Sequence, residues 1–305
     1  MIRYIGEKLI QAFVSLVGAS IIVFALARAT GDPVQLLLPP TATAEDAARI
    51  RESLGLDRNL VEQYFVFIGN ALTGDFGNSI QYRQPALDVV TDRLGATLTL
   101  GAAAFALTAL LAIPLGVYAA HRRGTLFDRA VRGVAAAGQA LPSFWVGSLL
   151  ILLFSVTLGW LPTSGMKGPA NLVMPVLTLT IFAFAGLARM SRSATLETLG
   201  TEYVKFARVK GVRESAVLWN HAFRNAALSV LTFGTLVLLN MLSGSIIVET
   251  VFGWPGLGSA VVTAVSQRDF PVVQVIVLLL SVAYIVCNLV VDVLYALLNP
   301  MIRSS

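Results

Sequence analysis

Few side chains in this sequence are suited to catalysis. The two histidines, His121 and His221, have no HExxH pattern and no cluster of carboxylates beside them, so we predict no metal site. No G-x-x-x-x-G-K-[ST] pattern occurs, which leaves no P-loop for ATP phosphates. We therefore predict that the chain is not an enzyme and binds no cofactor. Any work against a gradient must draw its energy from another subunit.

A basic segment stands out at residues 202–226, EYVKFARVKGVRESAVLWNHAFRNA, with Gly211 near its middle. The pattern predicts a short helix over 201–210 that carries Tyr203, Phe206 and Ala207 on one side. Gly211 then permits a sharp turn into a second helix. Such a pair of helices suits either docking to another protein or contact with anionic lipid. The segment alone leaves both readings open.

The composition places this segment in a membrane protein. Of 305 residues, 56% are hydrophobic and 13% charged, with mean hydropathy +0.77, whereas soluble domains are about 25% charged. A helix needs roughly 20 apolar residues to cross a bilayer. Six stretches without Asp, Glu, Lys or Arg have about this length: 9–27, 97–120, 133–159, 169–188, 225–248 and 270–291. Because spanning helices satisfy their own backbone hydrogen bonds, we predict an all-α membrane protein with six transmembrane helices.

The net charge of +5 is distributed unevenly between the two sides of this topology. With the N-terminus in the cytoplasm, most Lys and Arg residues fall in inner loops, as the positive-inside rule requires. Both termini are therefore predicted to be cytoplasmic, and the basic charge indicates orientation rather than nucleic-acid binding. The run at 9–27 is longer than the apolar part of a signal peptide, so the first helix is expected to be retained.

The predicted topology divides the chain into four parts. They are an N-terminal transmembrane helix at 1–28, an external region at 29–96, a transmembrane domain at 97–298 and a cytoplasmic tail at 299–305. The transmembrane domain contains the predicted cytoplasmic segment 201–225. In the external region, TAEDAARIRESLG predicts a helix with Thr43 as its N-cap. LVEQYFVFIGNAL predicts a second, amphipathic helix that packs on the membrane domain.

Polar residues inside the apolar stretches are candidates for a translocation pathway. They are sparse, and we single out Gln139, Ser143, Asn240 and Gln274. Prolines within the stretches, at Pro114, Pro142 and Pro175, favour kinks. A secondary transporter should place several ionisable groups at midplane or show inverted repeats, and neither is evident in the sequence. A membrane scaffold without transport activity is the other alternative.

Several motifs resemble those of dipeptide and oligopeptide permeases, a branch of the ABC importer permeases. The spacing Ala207-x-x-x-Gly211 is similar to their EAA loop, although Lys205 and Phe206 occupy the first two positions of the Glu-Ala-Ala signature, as is common in this branch. Gly95 also replaces a frequent proline, and the ending LLNPMIRSS lacks the usual acidic-Pro-basic pattern. Further motifs follow in family order: GDP at 31–33, LGLDRNLVEQY at 54–64, GDFGNS at 74–79, LPSFWVG at 141–147, ETVFGWPGLGSA at 249–260 and RDFPVVQ at 268–274.

The resemblance implies a MetI-like type I ABC permease in the cytoplasmic (inner) membrane of a bacterium. Such a permease pairs with a second homologous permease as a heterodimer, above two cytoplasmic ATPase subunits that bind ATP and Mg²⁺. An extracytoplasmic solute-binding protein delivers the cargo, which is a dipeptide or oligopeptide, or alternatively glutathione, a nickel chelate or an oligosaccharide. The residues that would couple to the ATPase are Glu202, Tyr203, Lys205, Phe206, Ala207, Lys210 and Gly211.

The sequence GWPGLG at 253–258 cannot continue a helix, because it packs three glycines and a proline into six residues. We expect a turn there, then a short surface helix over 259–267 that ends before Pro271 opens the last span. This element is expected to line an external gate or to contact the binding protein. The candidates are Phe252, Trp254, Pro255, Gly256, Gly258, Arg268 and Asp269.

The charge distribution gives a testable orientation. Cys287 is the one cysteine of the chain, so a Cys287→Ser background allows single cysteines to be probed. We expect Ser53→Cys to react with an impermeant thiol reagent added outside the cell, and Ser193→Cys to be protected until the membrane is opened. The reverse labelling pattern would contradict the predicted topology.

Overall fold

The computed structural model describes residues 2–29, 43–53 and 56–298, and within these ranges its regular structure is helical. An isolated bridge joins Asn78 and Pro85. The helices are α1 (Ile2–Ala29), α2 (Ala44–Ser53), α3 (Leu60–Thr73), α4 (Ala86–His121), α5 (Leu126–Ala140), α6 (Ser143–Leu150), the π-helical π1 (Ile151–Thr157), α7 (Pro169–Leu199), α8 (Glu202–Val209), α9 (Glu214–Ala216), the π-helical π2 (Val217–Phe223), α10 (Arg224–Val251), α11 (Leu257–Ser266) and α12 (Phe270–Leu298).

Five of the described helices are long and apolar enough to cross a membrane. A bent pair, Leu126–Ala140 and Ser143–Thr157, brings the number to six if it counts as one span. The predicted all-α membrane fold is therefore confirmed. The stretch at 133–159 differs from the expected form, because one span with a kink at Pro142 was predicted and the pair is bent by 100°.

The break between α5 and α6 has a local cause at Leu141 and Pro142. Proline has no N–H to donate, and its ring disfavours helical geometry in the residue before it. Both residues are accordingly extended, with ψ of 134° at Leu141 and 137° at Pro142. Pro114 and Pro175, by contrast, lie inside uninterrupted helices.

The chain forms two compact units, and the first comprises residues 1–95 and 260–286. Within it, Thr43 caps α2 as predicted, because its hydroxyl accepts the Asp46 N–H at 3.2 Å. Hydrogen bonds from the Thr43 backbone and hydroxyl lower the pKa of Asp46. Asn59 caps α3, and Gly74 ends that helix with φ of 80°.

Helix α3 packs on α1 through one side of the apolar stripe predicted at Val61, Tyr64, Phe65, Ile68 and Leu72. The Tyr64 and Phe24 rings lie 5.6 Å apart, and the hydroxyls of Tyr64 and Ser20 are 2.8 Å apart. Packing on the first span is therefore observed for Tyr64. Val61 and Phe65, the other side of the stripe, remain about two-thirds exposed. An apolar surface of this kind is what a helix presents to lipid or to another chain.

The second unit, residues 96–259 and 287–305, has a core built from α4, α7 and α10. Its buried residues include Leu100, Met174, Met241 and Trp254. Helices α4 and α7 approach so closely at Gly116 that a Cβ there would lie 2.6 Å from the Ala188 carbonyl oxygen. Glycine is therefore required at position 116 for backbone contact rather than for backbone freedom.

A buried ion pair joins the start of α5 to the C-terminal half of α7. Asp128 is 1% exposed and accepts hydrogen bonds from Arg192 Nε at 2.6 Å and Nη2 at 3.0 Å. The Gly124 N–H donates to the same carboxylate at 3.0 Å. Arg132 lies 3.3 Å away with a half-exposed side chain. Asp128 and Arg192 neutralise each other's charge inside the protein, so burying either residue without the other would be costly.

We expect Asp128→Ala to lower the free energy of unfolding by about 3 kcal/mol, because it leaves the Arg192 guanidinium without its buried acceptor. Thermal denaturation of the purified complex in detergent measures the loss. Arg132→Ala is the control, since a half-exposed ion pair contributes at most about 1 kcal/mol. Equal losses for the two variants would contradict a special role of the buried pair.

Candidate functional site

The basic segment folds as predicted into a short helix, a glycine turn and a second helix. Helix α8 runs from Glu202 to Val209, and Gly211 follows with φ of 76°. The Val212 N–H returns to the Ala207 carbonyl at 3.2 Å, and the Gly211 N–H to Arg208 at 2.9 Å. This is the C-terminal capping geometry that favours glycine, because a side chain would strain a left-handed residue.

An ion pair closes the turn around Gly211. Arg208 donates to Glu214 from Nη2 at 2.7 Å and from Nε at 3.2 Å. This hydrogen bonding with Glu214 raises the pKa of Arg208. His121 Nδ1 lies 3.5 Å from the same carboxylate. Two-point contact of a guanidinium with a carboxylate fixes orientation as well as distance, so the two helices meet at a defined angle.

The apolar side chains of α8 divide into an exposed group, called the exposed tip below, and a buried group. Tyr203 is 42% exposed, Phe206 60% and Val209 83%. Ala207, in contrast, is 7% exposed and packs with Val204 and Val217. Ala207 was expected beside Tyr203 and Phe206, and the structure corrects this. Its small side chain lets α8 sit against π2, and a larger residue there would disturb this packing rather than a partner surface.

Charged side chains surround the exposed tip. Lys210 Nζ lies 4.7 Å from the centre of the Phe206 ring, and Lys205 pairs with Glu202 at 2.7 Å. The Tyr203 hydroxyl accepts from Asn225 Nδ2 at 2.7 Å, which ties α8 to the start of α10. Of the seven predicted coupling residues, Ala207 is the one that packs inward. Sequence reasoning missed Val209, which a helical-wheel count from Phe206 would have found.

Three pathway candidates meet at one cavity in the second unit. Gln139, Ser143 and Asn240 line a cavity of about 350 Å³, together with the rings of Phe182 and Phe233. None of the described lining residues is charged. Two amides and a hydroxyl can each donate and accept hydrogen bonds, so the cavity suits neutral polar groups bordered by apolar ones.

The fourth pathway candidate, Gln274, lies elsewhere. It belongs to the first unit, where it lines two cavities of about 240 and 410 Å³ with Phe270 and residues of α1. The structure therefore groups three of the four candidates and separates the fourth.

The predicted gate element forms the expected turn and short helix, but most of its side chains are buried. The helix is α11, Leu257–Ser266, one to two residues offset from the expected 259–267. Phe252 and Trp254 are each 2% exposed, and Trp254 Nε1 donates to the Ala96 carbonyl at 2.9 Å. Gly256 and Gly258 are buried as well, and Pro255 is exposed. In this structure the element has little exposed surface, and its role in lining an external gate or contacting a binding protein stays a prediction.

Glu249 organises this turn, and sequence reasoning did not select it. Its side chain is fully buried and accepts hydrogen bonds from the Thr97 hydroxyl at 2.8 Å, the Gly258 N–H at 2.6 Å and the Ser259 N–H at 3.1 Å. A carboxylate at a helix N-terminus is favoured by the free amides and the helix dipole. The signal available in sequence was an acidic residue next to a glycine-rich turn.

The remaining gate candidates, Arg268 and Asp269, belong to the first unit. Asp269 is 1% exposed and accepts hydrogen bonds from Ser79, from the Ile80 N–H at 3.1 Å and from the Gln81 N–H at 3.2 Å. Arg268 is exposed and has φ of 56°, a left-handed conformation. Asp269 therefore holds a loop in place, while Arg268 is the candidate with a free side chain.

The apolar helices, the uncharged cavity and the turn of α8 define a multi-pass membrane protein of the transporter class. Residues 112–304 match the family described as "Binding-protein-dependent transport system inner membrane component". Residues 1–101 match its N-terminal companion, "Binding-prot-dependent transport system membrane comp, N-term". The chain belongs to the binding-protein-dependent transport system inner membrane component family.

Curated relatives support the same assignment. "Glutathione transport system permease protein GsiC" of Escherichia coli (strain K12) is 40% identical over 304 residues, which covers 99% of each chain. The protein of that name from Shigella dysenteriae serotype 1 (strain Sd197) matches equally well. Among solved structures, the inward-facing MetNI methionine ABC transporter aligns with TM-score 0.57 at 17% identity, covering 69% of this chain and 96% of that one.

These matches establish what kind of subunit the chain is. It is a multi-pass permease in the inner membrane of a bacterial ABC importer, and a transport component rather than a catalyst. An importer of this type works with a solute-binding protein and with separate ATPase subunits. The structural neighbour shares the fold.

Proposed function

We propose that the exposed tip of the basic segment docks into an ATPase subunit and couples ATP hydrolysis to transport. The observation that carries this proposal is the exposure of Phe206 and Val209 on a helix whose other face is fixed by Ala207. An apolar anchor within a rim of charges is the usual form of an interface hot spot. ATP and Mg²⁺ then bind to the ATPases, and this chain binds neither.

Because the ATPase subunits are cytoplasmic, this docking requires the basic segment and both termini to lie in the cytoplasm. It also places the turn at residues 252–258 on the opposite side, toward the solute-binding protein. A second homologous permease completes the membrane part of the complex as a heterodimer. The uneven distribution of Lys and Arg supports the orientation, and the membership of the importer permease family supports the second subunit.

We expect Phe206→Asp to prevent the ATPase subunits from co-purifying with the permease. Losing a hot-spot anchor costs about 2 kcal/mol or more of binding free energy, which makes the dissociation constant roughly 30-fold larger. Because Phe206 is 60% exposed, the permease itself should reach the membrane at normal levels. Pull-down of the ATPases and ATP hydrolysis stimulated by the binding protein measure the effect.

The matched control tests the lipid-anchor alternative on the same helix. Lys205→Ala with Lys210→Ala removes two exposed positive charges without touching the Arg208–Glu214 pair that shapes the turn. Docking predicts a small effect, since exposed charges contribute at most about 1 kcal/mol each. A lipid anchor predicts the opposite order, with loss in the double lysine variant and normal coupling in Phe206→Asp.

We further propose that the cargo is a short peptide and that the cavity at Gln139, Ser143 and Asn240 belongs to its pathway. A peptide presents amide N–H and carbonyl groups together with apolar side chains, which match uncharged donors and acceptors between aromatic rings. Glutathione is the first peptide to test, because the relatives at 40% identity are named for its transport. Nickel chelates and oligosaccharides are the competing cargos of this importer class.

We expect Asn240→Leu to raise the apparent KM for peptide uptake about fivefold in proteoliposomes containing the whole complex. A lost hydrogen bond of about 1 kcal/mol accounts for this factor. Thr235→Val on the same helix is the control, because its hydroxyl bonds within the helix to Leu231 and it does not line the cavity. Accumulation of a nickel chelate or an oligosaccharide in place of glutathione or dipeptides would overturn the peptide assignment.

A further inference from the structure

A continuous helical rod connects the basic segment to Glu249. Helix α9, π2 and α10 follow one another without a gap from Glu214 to Val251. At about 1.5 Å per residue the rod is roughly 55 Å long. The Arg208–Glu214 pair holds one end, and Glu249 lies in the last turn of the other. A displacement of the basic segment therefore has an unbroken helical path to the far end of α10.

Beyond the rod, backbone bonds and side-chain bonds together hold the chain. The connection from Phe252 to Gly256 contains two glycines, and Gly253 has φ of 56°. Backbone bonds stabilise this turn, because the Trp254 N–H donates to the Glu249 carbonyl at 2.8 Å and the Gly256 N–H to the Trp254 carbonyl at 2.8 Å. The Glu249 carboxylate extends this hold into α11, since it accepts the N–H groups of Gly258 and Ser259 across the turn. The first turn of α11 is thereby bonded directly to the rod.

The Glu249 carboxylate leaves no room for a side chain at position 256 or 258. A Cβ at Gly256 would lie 2.4 Å from Glu249 Oε2, and one at Gly258 would lie 2.9 Å from it. Thr97 closes the site, since its hydroxyl donates to Glu249 at 2.8 Å and accepts from the Leu257 N–H at 2.8 Å. Glu249 is fully buried, so water cannot take over its hydrogen bonds.

We propose that Glu249 is a positioning residue that makes residues 252–259 move with the rod, so that ATPase closure at the basic segment is relayed to this turn. The proposal rests on the docking function proposed above. Glu249 contacts neither the cargo cavity nor the basic segment, and it acts through α11. A purely structural acid would stabilise the fold without making the turn respond to nucleotide.

The test is hydrogen–deuterium exchange of the whole importer in lipid nanodiscs, with ATP and vanadate or without nucleotide. Two peptides are compared, one from the basic segment at 202–213 and one from the turn at 254–266. In the wild type we expect vanadate trapping to change exchange in both. In Glu249→Ala we expect the change at 202–213 to persist and the change at 254–266 to disappear. Without nucleotide, its α11 amides should exchange about tenfold faster.

Three further variants make this result specific. Glu249→Gln keeps an acceptor for the Gly258 and Ser259 N–H groups, so it should restore most of the nucleotide response at 254–266. Thr97→Val removes one hydroxyl at constant volume and should give a partial loss if Glu249→Ala does not assemble. Thr250→Val is the matched control, because its hydroxyl bonds within α10, to Ile246, and it should behave as wild type.

The outcomes separate the relay from the docking on which it rests. A nucleotide response at 254–266 that survives in both Glu249→Ala and Thr97→Val would overturn the relay while leaving docking intact. Absence of any response at 202–213 in the wild type would overturn docking itself. In that case, unchanged α11 exchange in nucleotide-free Glu249→Ala would also show that the carboxylate does not hold the turn.

Discussion

The hydrogen bonds from the first turn of α11 to Glu249 determine much of the second unit. A buried carboxylate needs several donors, and here two backbone amides and the Thr97 hydroxyl provide them. To bring these donors to the carboxylate, residues 252–256 turn back across the end of α10. The same turn places Trp254 and Phe252 in the hydrophobic core, so the hydrogen bonds of Glu249 and the burial of both rings depend on it.

Two other buried acidic residues, Asp128 and Asp269, also obtain hydrogen-bond donors from distant segments, but from different kinds of group. Asp128 accepts from the Arg192 guanidinium and joins α5 to α7, whereas Asp269 accepts from a hydroxyl and backbone N–H groups of its own unit. In a chain with 13% charged residues, a buried acid is costly unless each oxygen finds donors. These three acids therefore mark places where segments distant in sequence are held together.

The basic segment joins rigidity to exposure within a few residues. The inward face of α8 is fixed by Ala207 and Val204, and its end is fixed by the turn at Gly211. The outward face keeps Phe206 and Val209 in solvent. A surface that transmits force needs both properties, because a flexible helix would absorb a partner's displacement instead of passing it on.

The break at Pro142 gives the cavity its shape. Gln139 lies in the last turn of α5 and Ser143 begins α6, so the extended Leu141 and Pro142 bring the ends of both helices to one cavity beside Asn240. Backbone that is not helical is tolerated at membrane depth where it lines a cavity or packs inside protein. The local preference of Leu141-Pro142 for extended geometry is thus consistent with a transport pathway.

The sequence by itself determined the class and the local elements. Charge-free stretches, Gly211 and the glycines of 253–258 act through nearby backbone, so the membrane helices, the turn of α8 and the helix after GWPGLG were predictable. Sequence motifs also indicated the importer family. Only the tertiary structure showed which side chains of these elements are buried, because burial depends on contacts with residues far away in the sequence. Ala207 and Trp254 carry no local sign of facing inward, and Glu249 gains its role only when Thr97 and the first turn of α11 come within hydrogen-bond distance.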